Sequence, residues 1–147
     1  MTEFAIRAAE ASDIPQIRHV YRTASLSNDG EREVLLANPD YLVWRGGVGP
    51  GSVCLVAEVD STIIGFATRT AEGELEDLFV VPEHKRRGVA TALIDRLVAE
   101  ARASGIARIE VDANPHALAF YRSAGFVEVG RISTQFGEGI RMVLAVQ

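Results

Sequence analysis

Cysteine is almost missing from this chain. Cys54 is the only one in 147 residues, which excludes an intramolecular disulfide and a cysteine-built zinc cluster. Prolines number five, and no Pro/Ser-rich linker, repeat or low-complexity tract breaks the sequence, so residues 1–147 read as one domain around one core. No apolar run approaches the ~20 residues that span a bilayer. Met1–Arg7 carries neither a basic leader nor an apolar stretch, so a cytoplasmic protein without membrane contact is expected. Basic charge is also short: 15 Lys and Arg stand against 20 Asp and Glu, a net charge of −5, which makes nucleic acid a poor default partner. There is no Gly-x-Ser-x-Gly elbow, no Gly-Lys-Ser/Thr and no Gly-x-Gly-x-x-Gly, so a serine hydrolase, a Walker loop and a dinucleotide fingerprint are not indicated. His19, His84 and His116 are scattered without metal-ligand spacing, and no metal is expected.

What the chain does have is a clear order of elements. Phe4–Arg7 reads as a strand, and Ser12 or Asp13 caps a helix with Pro15 in its first turn. Glu31–Ala37 is a short helical candidate after Asn28-Asp29-Gly30. The four glycines of Arg45–Ser52 mark a connection. Val53–Val59 and Thr62–Arg69 form a hairpin through Asp60-Ser61, and Glu74–Val81 is a third strand stopped by Pro82. Cys54, in the apolar run Val53–Val56, reads as a buried small hydrophobe. From Gly88 to Ala103 the apolar positions Val89, Leu93 and Leu97 form a helical stripe, closed by Gly105. Ile106–Val111, a helix Pro115–Ala124, Phe126–Arg131 and Gly139–Val146 complete the order β-α-α-β-β-β-α-β-α-β-β. Joining Glu74–Val81 to Ile106–Val111 through a helix calls for a parallel, right-handed crossover. The expected class is therefore α/β (α+β): a mixed, largely antiparallel sheet with one parallel pair and helices on both faces.

One stretch concentrates charge against the trend of the chain. Lys85, Arg86 and Arg87 follow a strand and precede Gly88, where the long helix opens. A helix N-terminus leaves four N–H groups unpaired and carries about half a positive charge. Gly88 and small Ala90 leave room for close approach. The combination suits a phosphate or diphosphate. A solvated basic turn is the plain alternative.

This stretch resembles the GNAT acyltransferases, which use acetyl-CoA. Val80-Val81-Pro82 followed by Lys85-Arg86-Arg87-Gly88-Val89-Ala90 is similar to the family's Val-x-Pro strand end and Gln/Arg-x-x-Gly-x-Gly/Ala loop, with Lys85 at the Gln/Arg position. A second segment, Asn114 through Ala117 and Phe120-Tyr121 to Gly125-Phe126, looks like the family's Asn-x-x-Ala-x-x-Phe-Tyr-x-x-x-Gly-Phe. The resemblance implies acetyl-CoA as acyl donor and cofactor contacts from Leu78, Phe79, Val80, Lys85, Arg86, Arg87, Gly88, Val89, Ala90, Thr91, Asn114 and Tyr121. It further implies an oxyanion-binding N–H near Leu78, where the strand bulges, and ladder-like bonds from the cofactor to the backbone of Phe79 and Val80. Tyr121 is implied as the acid for the leaving thiolate; read without the resemblance it is an amphipathic core tyrosine. Asn114 also has a bland role as a helix cap.

Amine attack needs a proton acceptor, because an alkylammonium has a pKa near 10. Glu76 and Asp77 are the joint candidates, with Glu110 a third. Alternation puts Glu76 with Leu78 and Val80, and Asp77 with Leu75 and Phe79, unless a bulge swaps the faces. On the acceptor side, Tyr21, Tyr41, Trp44 and Phe136 offer aromatic walls, Arg22, Arg45 and Arg131 suit an acidic group, and Glu31, Glu33, Asp40 and Glu138 suit a cationic one. The expected reaction is transfer of an acetyl group to a primary amine of a small molecule or peptide. An inactive acyl-CoA-binding sensor on the same fold is the second reading, and an anion-binding or nucleic-acid module the third. A homodimer through the C-terminal strands is compatible with the pattern.

Overall fold

A computed structural model of the chain describes residues 3–27, 32–46, 50–134 and 137–146, with the Thr134 side chain left out. The expected turns at Asn28–Gly30 and parts of the glycine-rich connection lie outside the described residues, as do Glu31 and Phe136. The elements are β1 (Ala5–Ala8), α1 (Ile14–Leu26), α2 (Arg32–Ala37), β2 (Val53–Val59), β3 (Thr62–Arg69), β4 (Leu75–Val80), α3 (Val89–Ala103), β5 (Arg108–Ala113), α4 (Leu118–Ser123), β6 (Val127–Thr134) and β7 (Gly137–Ala145). Order and type follow the sequence pattern throughout, with ends moved by one to three residues.

Local chemistry explains most boundaries. Asp60 and Ser61 take φ of 48° and 66°, the left-handed pair that lets a two-residue loop follow the twist of β2 and β3. Gly105 and Gly125, at φ 78° and 99°, terminate α3 and α4. Asp13 departs from its expected role. It stands at the N-cap of α1 but makes no cap bond there. Its Oδ2 instead accepts the Glu10 N–H at 2.7 Å and the Arg7 guanidinium at 2.8 Å.

The single mixed sheet is not what forms. Two antiparallel sheets are present, in the orders β1-β2-β3-β4 and β5-β7-β6. The parallel β4–β5 pair is reduced to one bridge, Glu74 to Glu110, where the Glu110 N–H meets the Gly73 carbonyl at 3.0 Å. Beyond that bridge the two inner edge strands separate, and a groove opens between Leu75–Val80 and Val111–Asn114. Gly73 makes the junction possible. Its φ is 97°, and a Cβ there would lie 2.6 Å from the Arg108 carbonyl oxygen.

The core lies between the first sheet and its helices. On β3, Gly65 faces α3, because a Cβ there would touch Val89 at 3.2 Å, and Arg69 on the same face gives its Nε to Glu100 of α3 at 2.9 Å. Phe66 and Thr68 take the opposite face, where Phe66 meets Trp44 edge-on at 5.5 Å. Ile17, Val20, Phe66, Leu93, Leu97, Ile109 and Met142 are buried almost completely. Each such side chain contributes about 1.5–3 kcal/mol of burial.

Candidate active site

β4 is irregular where it matters. The register to β3 runs Gly65–Val80, Phe66–Phe79, Ala67–Leu78 and Thr68–Asp77, then jumps to Arg69–Leu75. Glu76 is the extra residue of a β-bulge. The bulge resolves the parity question: Leu75, Leu78 and Val80 share the face toward α3, while Asp77 and Phe79 share the other. Glu76 belongs to neither run and lines the groove.

The same register tells which backbone groups are free. The Val81 N–H bonds the Ile64 carbonyl at 2.9 Å. Antiparallel alternation then turns the Phe79 N–H and C=O toward β3 and those of Leu78 and Val80 away from it, into the groove. No other described strand pairs with that edge beyond the Glu74 bridge. An unpaired ladder edge in a largely buried strand is a set of polar groups waiting for a partner.

Two cavities meet in the groove. The larger, about 480 Å³, is lined by Leu78, Val80, His84, Lys85, Arg86, Gly88–Thr91, His116, Ala117, Phe120 and Tyr121. The smaller, about 230 Å³, shares Leu78, Val80, Lys85, His116, Ala117 and Tyr121, and adds Glu76, Asp77, Phe79, Asp112, Asn114 and neighbouring apolar residues. Of the expected cofactor contacts and the joint acid candidates Glu76 and Asp77, only Arg87 lines neither cavity. His84 and His116, scattered in the sequence without metal-ligand spacing, both line the groove. Asp112 was missed because nothing local marks a strand residue that a distant helix will face.

The loop before α3 forms a concave turn. Arg86 and Gly88 both take left-handed φ, 63° and 81°, which curls successive N–H groups around a concavity at the helix N-terminus. The space beside Gly88 is open, with nothing within 4 Å of where a Cβ would stand. Lys85 reaches Ser27 Oγ at 3.2 Å.

Polar atoms in the walls lack partners. Asn114 sits at the start of a 3₁₀ turn, but its side chain makes no cap bond, and its Oδ1 is sealed without a partner. Capping therefore does not explain this side chain. His84 Nδ1 is likewise sealed and unpartnered. Tyr121 is 7% exposed, packs edge-on against Phe120 and Phe126, and makes no hydrogen bond through its hydroxyl to the described residues. Burial, then the nearby Asp77 charge, push its phenol above the ordinary value of 10.0.

The two acids differ in environment. Asp77 Oδ2 accepts both the Trp44 indole N–H at 2.9 Å and the Thr68 hydroxyl at 2.5 Å. Glu76 is exposed as a residue, but its carboxyl is raised above 4.5 by desolvation against the groove wall, then by Asp77 and Glu74. Glu110 does not line either cavity; it is paired with Arg141 at 3.0 Å. Of the described acceptor-side aromatics, Trp44 is core, Tyr21 packs on Phe79 at 5.0 Å, and the Tyr21 hydroxyl donates to the Tyr41 carbonyl at 2.9 Å. Arg131 pairs with Glu138 at 2.6 Å, and Arg22 lines a separate depression on α1.

A forked pair of sheets, a bulged edge strand and a cationic loop at the head of a helix frame the groove. Residues 28–144 match the Acetyltransferase (GNAT) domain, and the chain belongs to the GNAT family. YafP of Escherichia coli K12, an uncharacterized N-acetyltransferase, is 31% identical over 134 residues, covering 88% of this chain and 85% of that one. The chloroplastic GCN5-related N-acetyltransferase 1 of Arabidopsis thaliana is 26% identical over 127 residues, 82% of this chain, which spans 59% of that relative's length. Among solved structures, the PaiA N-acetyltransferase of Thermoplasma acidophilum in complex with coenzyme A superposes with a TM-score of 0.74 at 20% identity, covering 97% of this chain and 99% of that one. That likeness is one of fold.

Proposed function

We propose that this protein transfers an acetyl group from acetyl-CoA to a primary amine by direct attack in a ternary complex. The observation that carries the reading is the unpaired edge of β4: Leu78 and Val80 turn backbone donors and acceptors into a groove whose far wall holds an unpartnered Tyr121 hydroxyl and Asn114 Oδ1. Bound acetyl-CoA would supply the activated acyl group as a thioester.

The chain's own residues divide the remaining work. Leu78 and Val80 hold the pantetheine arm as an added strand would be held, a task the ladder denies to Phe79. The Leu78 N–H beside the bulge is the donor for the developing oxyanion. The N–H groups from Arg86 to Thr91, with Lys85 and Arg86, hold the diphosphate; Arg87 adds charge at long range only. His84 Nδ1, in the wall of the larger cavity, has unused capacity toward the same ligand.

Glu76 takes the proton from the acceptor ammonium, directly or through water, because it lines the groove on the bulge without an ion pair among the described residues and desolvation raises its affinity for a proton. Asp77, pinned through one oxygen, serves as a fixed negative charge. The amine nitrogen forms the new bond to the acyl carbon as the carbon–sulfur bond breaks. Tyr121, proton-loaded at neutral pH, gives its proton to the departing sulfur and regains one from the second proton that the attacking nitrogen sheds as the amide forms. The products are an acetamide and a thiol, and one proton leaves through Glu76.

Thiol release from acetyl-CoA across a panel of amines tests the reading. Tyr121→Phe is expected to lower turnover by about 10²–10⁴-fold, the span of general acid catalysis, while retaining acetyl-CoA binding. Equal turnover in the two proteins removes Tyr121 from the mechanism.

A further inference from the structure

The groove is electrically two-ended. Lys85, Arg86 and Arg87 stand at the head of α3, whereas Glu76, Asp77 and Asp112 line the smaller cavity at the fork. Two further carboxylates, Glu74 and Glu110, lie where the strands part. Against these five stand two guanidiniums: Arg141, at 2.6 Å from Glu74 and Asp112 and 3.0 Å from Glu110, and Arg108, at 3.7 Å from Glu110. These seven groups carry a net charge of −3, and Glu76 and Asp77 are the two carboxylates among them without an ion pair to a described residue.

Three details show that this excess serves a ligand beyond its role in holding the fork. Asp77 spends only Oδ2 on Trp44 and Thr68, so its second oxygen keeps its accepting capacity. Asn114 Oδ1, in the wall of the same cavity, has no donor. Tyr121, more than nine-tenths buried, turns an unpartnered hydroxyl to it. Lys85, the one Lys or Arg among the described residues of that lining, gives its ammonium to the neutral Ser27 hydroxyl at 3.2 Å and offsets only part of the excess. At about 230 Å³ the cavity is smaller than the ~300–1,000 Å³ of drug-sized ligand pockets, which suits a small acceptor rather than a folded surface.

We propose that the acceptor is a short aliphatic diamine, one nitrogen presented between Glu76 and Tyr121 and the other held as an ammonium by Asp77 and Asp112. This rests on the acetyl-transfer reading above. A monoamine would leave the carboxylates uncompensated. An α-amino acid would bring its own carboxylate into a field of the same sign, where Lys85 is the one lining cation set against the acidic excess.

Titration calorimetry with three matched probes decides the matter: 1,5-diaminopentane, 1-aminopentane, which lacks the second cation, and lysine, which adds a carboxylate. Each is titrated into the full chain with and without coenzyme A. The diamine is expected to bind at least about tenfold tighter than either, with the margin shrinking as salt rises toward ~0.3 M. Asp77→Asn is expected to remove the margin over 1-aminopentane, and Asp112→Asn serves as the second variant if the first does not fold. Equal binding of 1-aminopentane, tighter binding of lysine or of a lysine-containing pentapeptide, or no diamine binding up to ~10 mM overturns the proposal. Acetyl-CoA binding, measured separately, distinguishes this failure from failure of the transfer reading.

Discussion

The Trp44 indole N–H reaches Asp77 Oδ2 across 2.9 Å, tying the segment after α2 to the strand that lines the groove. Both groups are removed from bulk water, so the bond is costly to leave half-made. Trp44→Phe keeps an aromatic ring against Phe66 but deletes the donor. It is expected to destabilise the fold by about 1–3 kcal/mol, read as a lower urea midpoint with an unchanged slope. An unchanged midpoint would mean that Thr68 alone satisfies Asp77.

Arg86 and Gly88 share the left-handed conformation but predict opposite outcomes. Arg86 bears the Cβ penalty at φ 63°, so Arg86→Gly is expected to stabilise the free protein by about 1 kcal/mol while weakening acetyl-CoA binding. Gly88→Ala meets no atom within 4 Å yet imposes the same penalty, and is expected to destabilise by about 1–2 kcal/mol. Thermal denaturation of both variants, with and without acetyl-CoA, checks the pair.

Glu76 links stability to pH. Its carboxyl is raised in the fold above the unfolded value of 4.5, so the folded state favours the protonated form. The associated stability is fully present below pH 4.5 and is lost as pH rises through the folded value. Glu76→Gln is therefore expected to be more stable than the parent at pH 7, with the difference vanishing toward pH 4, and to turn over more slowly. Urea midpoints at the two pH values and the rate at pH 7 test this. A variant equally stable at both and fully active would exclude Glu76 as the base.

Cys54 is expected to be inert. Burial, then the charges of Asp77 and Asp13, push its thiol up to about 12, so almost no thiolate exists near neutrality. Iodoacetamide at pH 8 should label the folded chain far more slowly than the chain unfolded in urea, without loss of activity. Rapid labelling that abolishes turnover would give Cys54 a role it is not assigned here.

Local chemistry made much of this molecule readable in advance. The Asp60-Ser61 turn, the stripe of α3 and its stop at Gly105 are fixed by residues within one or two turns of each other. The anion loop was legible for the same reason, since Lys85 to Gly88 is contiguous. What could not be read depends on contacts distant in sequence. The one bridge between the two sheets depends on Gly73 lying under the Arg108 carbonyl, 35 positions away, and the bulge at Glu76 shows only in the register to β3. Asn114 illustrates the limit: its sequence context offered a cap, and the fold left its side chain to the groove instead.

Titration calorimetry of acetyl-CoA into the protein tests the central claim most directly, because the free β4 edge and the α3 loop are assigned to that one ligand. The account predicts saturable 1:1 binding that weakens with salt and is reduced in Arg86→Gly. No heat and no shift in melting temperature at ~1 mM acetyl-CoA would contradict it.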